Sequence, residues 1–274
     1  MTGIALALLL GIVGGEGAPS PSDDAVVCLS AEGFPYCSGV LVGPRSVLTA
    51  GHCIDALGPG VHYEVNVGPD CHAPLQRLGV VRRLAHPRFT GEGNPFDLGY
   101  LSLAADARAA APFTVGPAPV EAGALPGMTV RHVGFGGTDE GSPLSGSGIR
   151  RSVLHAILRV EDDFIWSGDA RSNTCAMDSG GPMLLQGEGG EVLVAVVSDG
   201  PSCREPGADQ RLDKGLAWLQ ARVAEDTVEP PAGGAEGGAR STGCSAGMGD
   251  PALAVLAAYW ASRRRTRPAH RPNS

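Results

Sequence analysis

Short apolar runs punctuated by glycine, proline and aspartate recur along this chain, and they leave little room for helices. With 41 glycines and 22 prolines in 274 residues, few windows stay free of breakers for the ten or so residues an ordinary helix needs. The stretch MLLQGEGGEVLVAVVSDG, Met183 to Gly200, has the pattern of a hairpin: two apolar strands around a glycine-rich turn. The reading is a mainly β protein, long enough for one large domain or two small ones sharing a core. One helical pattern stands out, LDKGLAWLQARVAE, where Leu212, Leu216, Leu219 and Val223 recur at helical spacing as a core-facing stripe.

The formal charge is −8. The tail from Glu229 carries six arginines against three acids, so the remainder holds 15 basic and 26 acidic residues. A surface of that sign repels phosphate backbones, which argues against a nucleic-acid partner. Of seven cysteines, six lie before residue 229 and their spacing does not resemble a zinc ribbon; three disulfides and an oxidising compartment are expected. No His-Glu-x-x-His helix is present, and no metal or cofactor is expected. His62, His72, His86, His132, His155 and His270 lack distinctive flanks and read as surface or satisfied core residues. Asp162 and Asp163 read as solvated loop acids.

The two ends read differently from the middle. Met1 to Gly11 is apolar, like the hydrophobic part of a secretory signal or a pro-segment remnant, and is too short for a membrane span. Residues 229–274 open as a linker poor in apolar residues. Cys244, a short apolar stretch and Arg263-Arg264-Arg265 then follow. That order resembles the C-terminal sorting signals of myxobacterial surface proteins, with Cys244 as the anchor. The alternative is an unprocessed disordered tail. The expected location is therefore secreted or on the bacterial cell surface, with membrane anchoring through the C-terminal segment.

Hydrolysis of an amide by serine needs a hydroxyl nucleophile, an imidazole base and a carboxylate that fixes the imidazole tautomer. LTAGHC supplies His52, NPFDLGYLSL supplies Asp97 and CAMDSGGP supplies Ser179. With IVGGEGAP at Ile12 to Pro19, the order and spacing of these motifs resemble the trypsin-like serine proteases, from Ile12 to about Val228. Gly-x-Ser-x-Gly is absent at Ser179, which disfavours a lipase or esterase.

The resemblance implies an all-β fold of two antiparallel Greek-key β-barrels, about 12–113 and 114–228, with the active site between them and a C-terminal helix. It implies disulfides Cys37–Cys53 and Cys175–Cys203, leaving Cys28 and Cys71 to pair. The oxyanion hole falls to the backbone N–H groups of Met177 and Ser179, with methionine where the family carries glycine. Ile12 and Asp178 take the place of the activation ion pair, although Gly11 stands where a basic residue is expected. The other reading of IVGG is the end of a signal's apolar core. Ser198 is placed to hydrogen-bond Asp97, and Gly200 to pair with a substrate strand. Asn173 occupies the pocket floor, with Gly200 and Gly207 keeping the entrance open. An amide floor does not pair with Arg or Lys as a carboxylate would, so cleavage strictly after basic residues is not expected. Asp209 either reaches the pocket or sits in an exposed loop; Asp199 replaces a tryptophan. The implied activity is endopeptidase cleavage of a protein or peptide, the alternative being a protease fold that binds without cutting.

Overall fold

The computed structural model describes residues 12–18, 21–58, 60–108, 111–113, 126–139, 142, 145–187 and 190–227. The expectations for residues 1–11 and 229–274, including Cys244 as an anchor, lie outside the described residues.

Two closed six-stranded antiparallel barrels make up the fold. The first is built from β2 (Val26–Ala31), β3 (Phe34–Gly43), β4 (Ser46–Thr49), β5 (Tyr63–Val67), β6 (Gln76–Ala85) and β7 (Gly99–Leu103). Its strand order is β2-β3-β4-β7-β6-β5. The second uses β8 (Thr129–Gly134), β9 (Arg151–Val160), β10 (Phe164–Ser167), β11 (Pro182–Gly187), β12 (Gly190–Asp199) and β13 (Gly207–Arg211), closed by the β8–β9 pairing. A short N-terminal strand, β1 (Glu16–Gly17), pairs with β9. One helical turn, α1 (His52–Asp55), follows β4, and α2 (Leu216–Thr227) follows the last strand. The hairpin expected over 183–200 is β11 and β12, paired from Pro182↔Val196 to Gly187↔Gly190.

The apolar runs are continuous where a strand is covered on both faces, because alternate side chains point to opposite sides of a sheet. In β2, Val27 and Leu29 fill the first barrel, while Val26 and Cys28 join the cluster between the barrels. Leu41 against Val40, Val47 against Leu48, and Leu101 against Tyr100 repeat the division. In the second barrel Met183 and Leu185 point inward and Leu184 faces the seam. Strand β9 departs from this: Val153, His155 and Ile157 are buried while Leu154 and Leu158 are exposed. The barrels therefore share one apolar seam, and a rigid seam is what a site assembled from both requires.

All three expected disulfides form: Cys28–Cys71, Cys37–Cys53 and Cys175–Cys203. The stripe expected on the C-terminal helix is narrower than its spacing implied. Leu212 precedes α2, and only Leu219 is fully buried within it; Trp218 and Val223 pack at the edge. The rest of the docking is polar. Asp226 accepts hydrogen bonds from the hydroxyls of Tyr100 (2.5 Å), Ser102 (2.9 Å) and Ser46 (3.3 Å), and pairs with Arg82. Burial first, and then the bond to Asp226, push the Tyr100 hydroxyl far above its usual range.

Asp226→Ala strips these donors of their shared acceptor against a half-buried surface. It is expected to lower unfolding stability by about 2–4 kcal/mol, measured by urea titration, with Tyr100→Phe costing about 1 kcal/mol.

Candidate active site

The seam between the barrels gathers side chains from three separate parts of the chain. His52 opens α1 directly after β4. Its Nδ1 lies 2.8 Å from Asp97 Oδ2, and its backbone N–H donates to Asp97 Oδ1 at 2.8 Å. Asp97 is fully buried. It sits at the centre of a tight turn in which Leu98 N–H returns to the Phe96 carbonyl at 2.7 Å. Phe96 holds a left-handed φ of 65°. From the second barrel, the Ser198 hydroxyl at the end of β12 donates to Asp97 Oδ2 at 2.6 Å. The Gln210 side chain on β13 accepts the Asp97 backbone N–H at 3.1 Å.

An ionised carboxylate only accepts, so the His52 Nδ1 carries the shared proton and Nε2 is the nitrogen left to exchange one. Burial pulls the His52 pKa down. The charge and hydrogen bond of Asp97 outweigh it, with Glu92 and Asp199 adding to the upward side, and the ring is raised to about 9.

Ser179 follows a loop pinned by the first barrel. Ser38 N–H on β3 donates to the Ser179 carbonyl at 2.9 Å, and the Ser38 hydroxyl donates to the Met177 carbonyl at 2.9 Å. Gly180, at φ 81°, packs so tightly on Thr49 and Ser38 that a side chain there would overlap them. Ser179 and His52 make no hydrogen bond in this resting arrangement; such contacts often tighten only around a substrate.

Met177 holds φ 75°, a left-handed conformation that costs a side-chain-bearing residue roughly 1–2 kcal/mol. The carbonyl before it, on Ala176, accepts from Gly137 N–H at 2.9 Å. In a trans peptide the N–H points opposite to the C=O, so the Met177 N–H faces away from Gly137. Among the described residues, neither Met177 N–H nor Ser179 N–H donates to any protein group. Both donors are therefore left without a protein acceptor among the described residues.

Asp178 is buried behind this loop, its carboxylate accepting Gly136 N–H (2.7 Å) and Cys175 N–H (2.9 Å). Burial raises its pKa to about 6, against the pull of those two N–H groups. Among the described residues no cation forms an ion pair with it. Ile12 is buried, has φ 47°, and leads into Val13, which bridges Asn173. Ile12 is still peptide-linked to Gly11 and makes no hydrogen bond to Asp178.

A pocket next to Ser179 is lined by Asn173, Gly200 and Gly207, with Glu92, Ser198 and Asp199 at its walls. The Asn173 amide is already engaged: Nδ2 donates to the Glu205 carbonyl at 2.5 Å and Oδ1 accepts Thr174 N–H at 2.9 Å. Asp209 is neither in the pocket nor in an exposed loop. It is buried on β13, 3.2 Å from His132 Nε2 and 3.3 Å from the Ser167 hydroxyl. A side chain on a barrel strand alternates between inside and outside, and Asp209 takes the inside register.

His155 corrects the expectation of a satisfied core histidine. It is buried in the second barrel, and among the described residues neither ring nitrogen has a hydrogen-bond partner. Burial, and then His132, lower its pKa to about 3, so it is neutral. Cys37, His52 and Cys53 cluster closely enough to suggest a metal, but the two sulfurs are bonded to each other and offer no thiolate. Among the described residues no helix is long and apolar enough to cross a membrane.

Sequence reading missed Glu92, Gln210 and Ser38. Glu92 had a faint signal, as an acid in the loop running into Asp97. Gln210 and Ser38 had none, since their partners lie 113 and 139 residues away.

A family model described as Trypsin matches residues 12–219. The chain is similar to "Trypsin" of Saccharopolyspora erythraea, 28% identical over 217 residues, covering 72% of this chain and 89% of the relative. It is also similar to "Glucanase inhibitor protein 3" of Phytophthora infestans, 25% identical over 232 residues, covering 77% and 87%. "Glucanase inhibitor protein 2" of Phytophthora sojae is 28% identical over 244 residues, covering 80% and 81%.

The balance at His52 is open to direct measurement. Its ring should titrate near 9 by NMR. Asp97→Asn removes the opposing charge and leaves burial in command, so the ring should then titrate below the ordinary value of about 6.5.

Proposed function

The chain belongs to the trypsin family of serine proteases, and we propose that it is a serine-type endopeptidase acting through an acyl-enzyme. With the His52 ring neutral, a form that grows as pH rises toward about 9, Ser179 Oγ attacks the substrate carbonyl carbon while His52 Nε2 takes its proton. Asp97 holds the imidazole and balances the charge it gains. The oxyanion is received by the N–H groups of Met177 and Ser179. As the C–N bond breaks, His52 returns the proton to the leaving amine; water then repeats the sequence to free Ser179. The observation that carries this reading is the buried Asp97 holding His52 by two hydrogen bonds. No cofactor or metal enters any step.

Asp178 and Ile12 fit an activation pair. A buried carboxylate raised to about 6 is poised for a cation, and cutting before Ile12 would supply an ammonium. The cut also removes the peptide bond that defines the Ile12 φ, and with it a conformation unfavourable for a β-branched residue. Breaking such a buried pair typically costs about 3–5 kcal/mol. Three disulfides fit an extracellular protein. We further propose residues 12–228 as the protease domain and Cys244 as a surface anchor.

A second reading, a protease fold that binds a protein without cutting it, draws on Met177 at a strained position and on two relatives named as glucanase inhibitors. A fluorophosphonate probe separates the two: covalent labelling of processed protein that vanishes in Ser179→Ala supports catalysis, and absence of labelling supports the binding module.

Met177 permits a second measurement. Because its N–H has no acceptor among the described residues, glycine there relieves backbone strain and side-chain crowding while keeping the proposed donor. Met177→Gly is expected to raise stability by about 1 kcal/mol and to raise kcat on a good peptide substrate. A fall in kcat would mean that the methionine side chain itself contacts the substrate.

A further inference from the structure

Two carboxylates line the pocket beside Ser179. Glu92, from the loop before Asp97, and Asp199, at the end of β12, line the same pocket as Ser179 and Asn173. Among the described residues neither forms an ion pair. Glu92 Oε2 is buried and accepts no hydrogen bond. Asp199 spends Oδ1 on Gly200 N–H at 2.8 Å, and its Oδ2 faces Gly93, where an added Cβ would come within 3.1 Å. The two side chains therefore approach across the cleft from opposite barrels. Both act on the charge of His52.

A buried carboxylate oxygen without a donor is costly. Among the described residues no hydrogen-bond donor reaches that oxygen, and Arg204 in the neighbouring segment is exposed and does not line the pocket. The missing donor fits a ligand group. A peptide laid antiparallel along Ser198–Gly200 sends one side chain toward Asn173, and the residue before it points to the other face. Glu92 and Asp199, which line the pocket, are placed to border that face.

We propose that the cleft selects peptides carrying arginine or lysine immediately before the residue that enters the pocket, with Glu92 and Asp199 binding the cationic side chain. This rests on reading the cleft as a substrate-binding site. Selectivity for positive charge is thereby displaced from the neutral amide floor to the neighbouring upstream position. A guanidinium suits the pair best, because its planar fork reaches two carboxylates at once.

Binding and cutting are tested separately. The full chain carrying Ser179→Ala is titrated by calorimetry with acetylated, amidated hexapeptides whose pocket residue is randomised. The preceding residue is arginine, alanine or glutamate. The arginine set should bind about tenfold more tightly than the alanine set, with glutamate weakest. The preference should shrink in Glu92→Gln and in Asp199→Asn, vanish in the double variant, and weaken with salt. Equal binding of arginine and alanine sets, including no measurable binding of either, overturns the proposal, as does a preference untouched by both substitutions. The same peptides incubated with unsubstituted, processed protein report on hydrolysis. No cleavage alongside an intact arginine preference would sink the endopeptidase reading and uphold the acidic subsite. Cleavage without preference would do the reverse.

Discussion

A carboxylate with no exposed surface must be matched by donors, and Asp97 draws them from both barrels. His52 contributes its backbone N–H and ring from the first; Ser198 contributes a hydroxyl from the second. Gln210, also from the second, fixes the peptide on which the carboxylate is mounted. Displacing either barrel would strand the charge away from water, a penalty of several kcal/mol. The seam is thus set by apolar packing between strands such as β2, β4 and β11, while its polar centre fixes the relative position more finely. The interaction that orients the imidazole also holds the two barrels in register.

The loop carrying Ser179 obeys a related constraint. Its carbonyl oxygens are tied to the scaffold, Met177 and Ser179 to Ser38, and Ala176 to Gly137. With the carbonyls engaged, the Met177 and Ser179 amide hydrogens have no acceptor among the described residues. Met177 is strained because the loop is fixed from both sides, and strain of this kind survives only when the surroundings over-determine the backbone. A methionine at this position therefore leaves the donor in place. Its effect falls on stability and on the room left for a ligand.

The sequence made the strands legible because their two-sided burial leaves unbroken apolar runs, and it made His52, Asp97 and Ser179 legible because each sits in its own short motif. What could not be read was long-range. Ser38 and Gln210 look like ordinary strand residues until the barrels close around them. Asp209 reads as a loop acid, since nothing local announces that its strand turns it inward to His132. The α2 stripe was overstated because helical spacing says which residues share a face, whereas Asp226 and its hydroxyl partners supply much of that contact. Peptide orientation at Met177 was equally invisible, being decided by Gly137 on a loop 40 residues earlier.

The balance between cutting and merely binding turns on what the cleft keeps unsatisfied. Among the described residues, two amide hydrogens of the Ser179 loop have no acceptor and two carboxylates lining the pocket form no ion pair. Each is a standing cost unless a ligand arrives with complementary charge. An incoming peptide can meet both needs, a cationic side chain upstream and a carbonyl oxygen that gains negative charge as Ser179 attacks. A surface that holds a folded partner would also keep the carboxylates, and the strain at Met177 by itself serves either role. On the proposed endopeptidase reading the unpaired N–H groups serve the acyl transfer, and the two carboxylates select the peptides that enter.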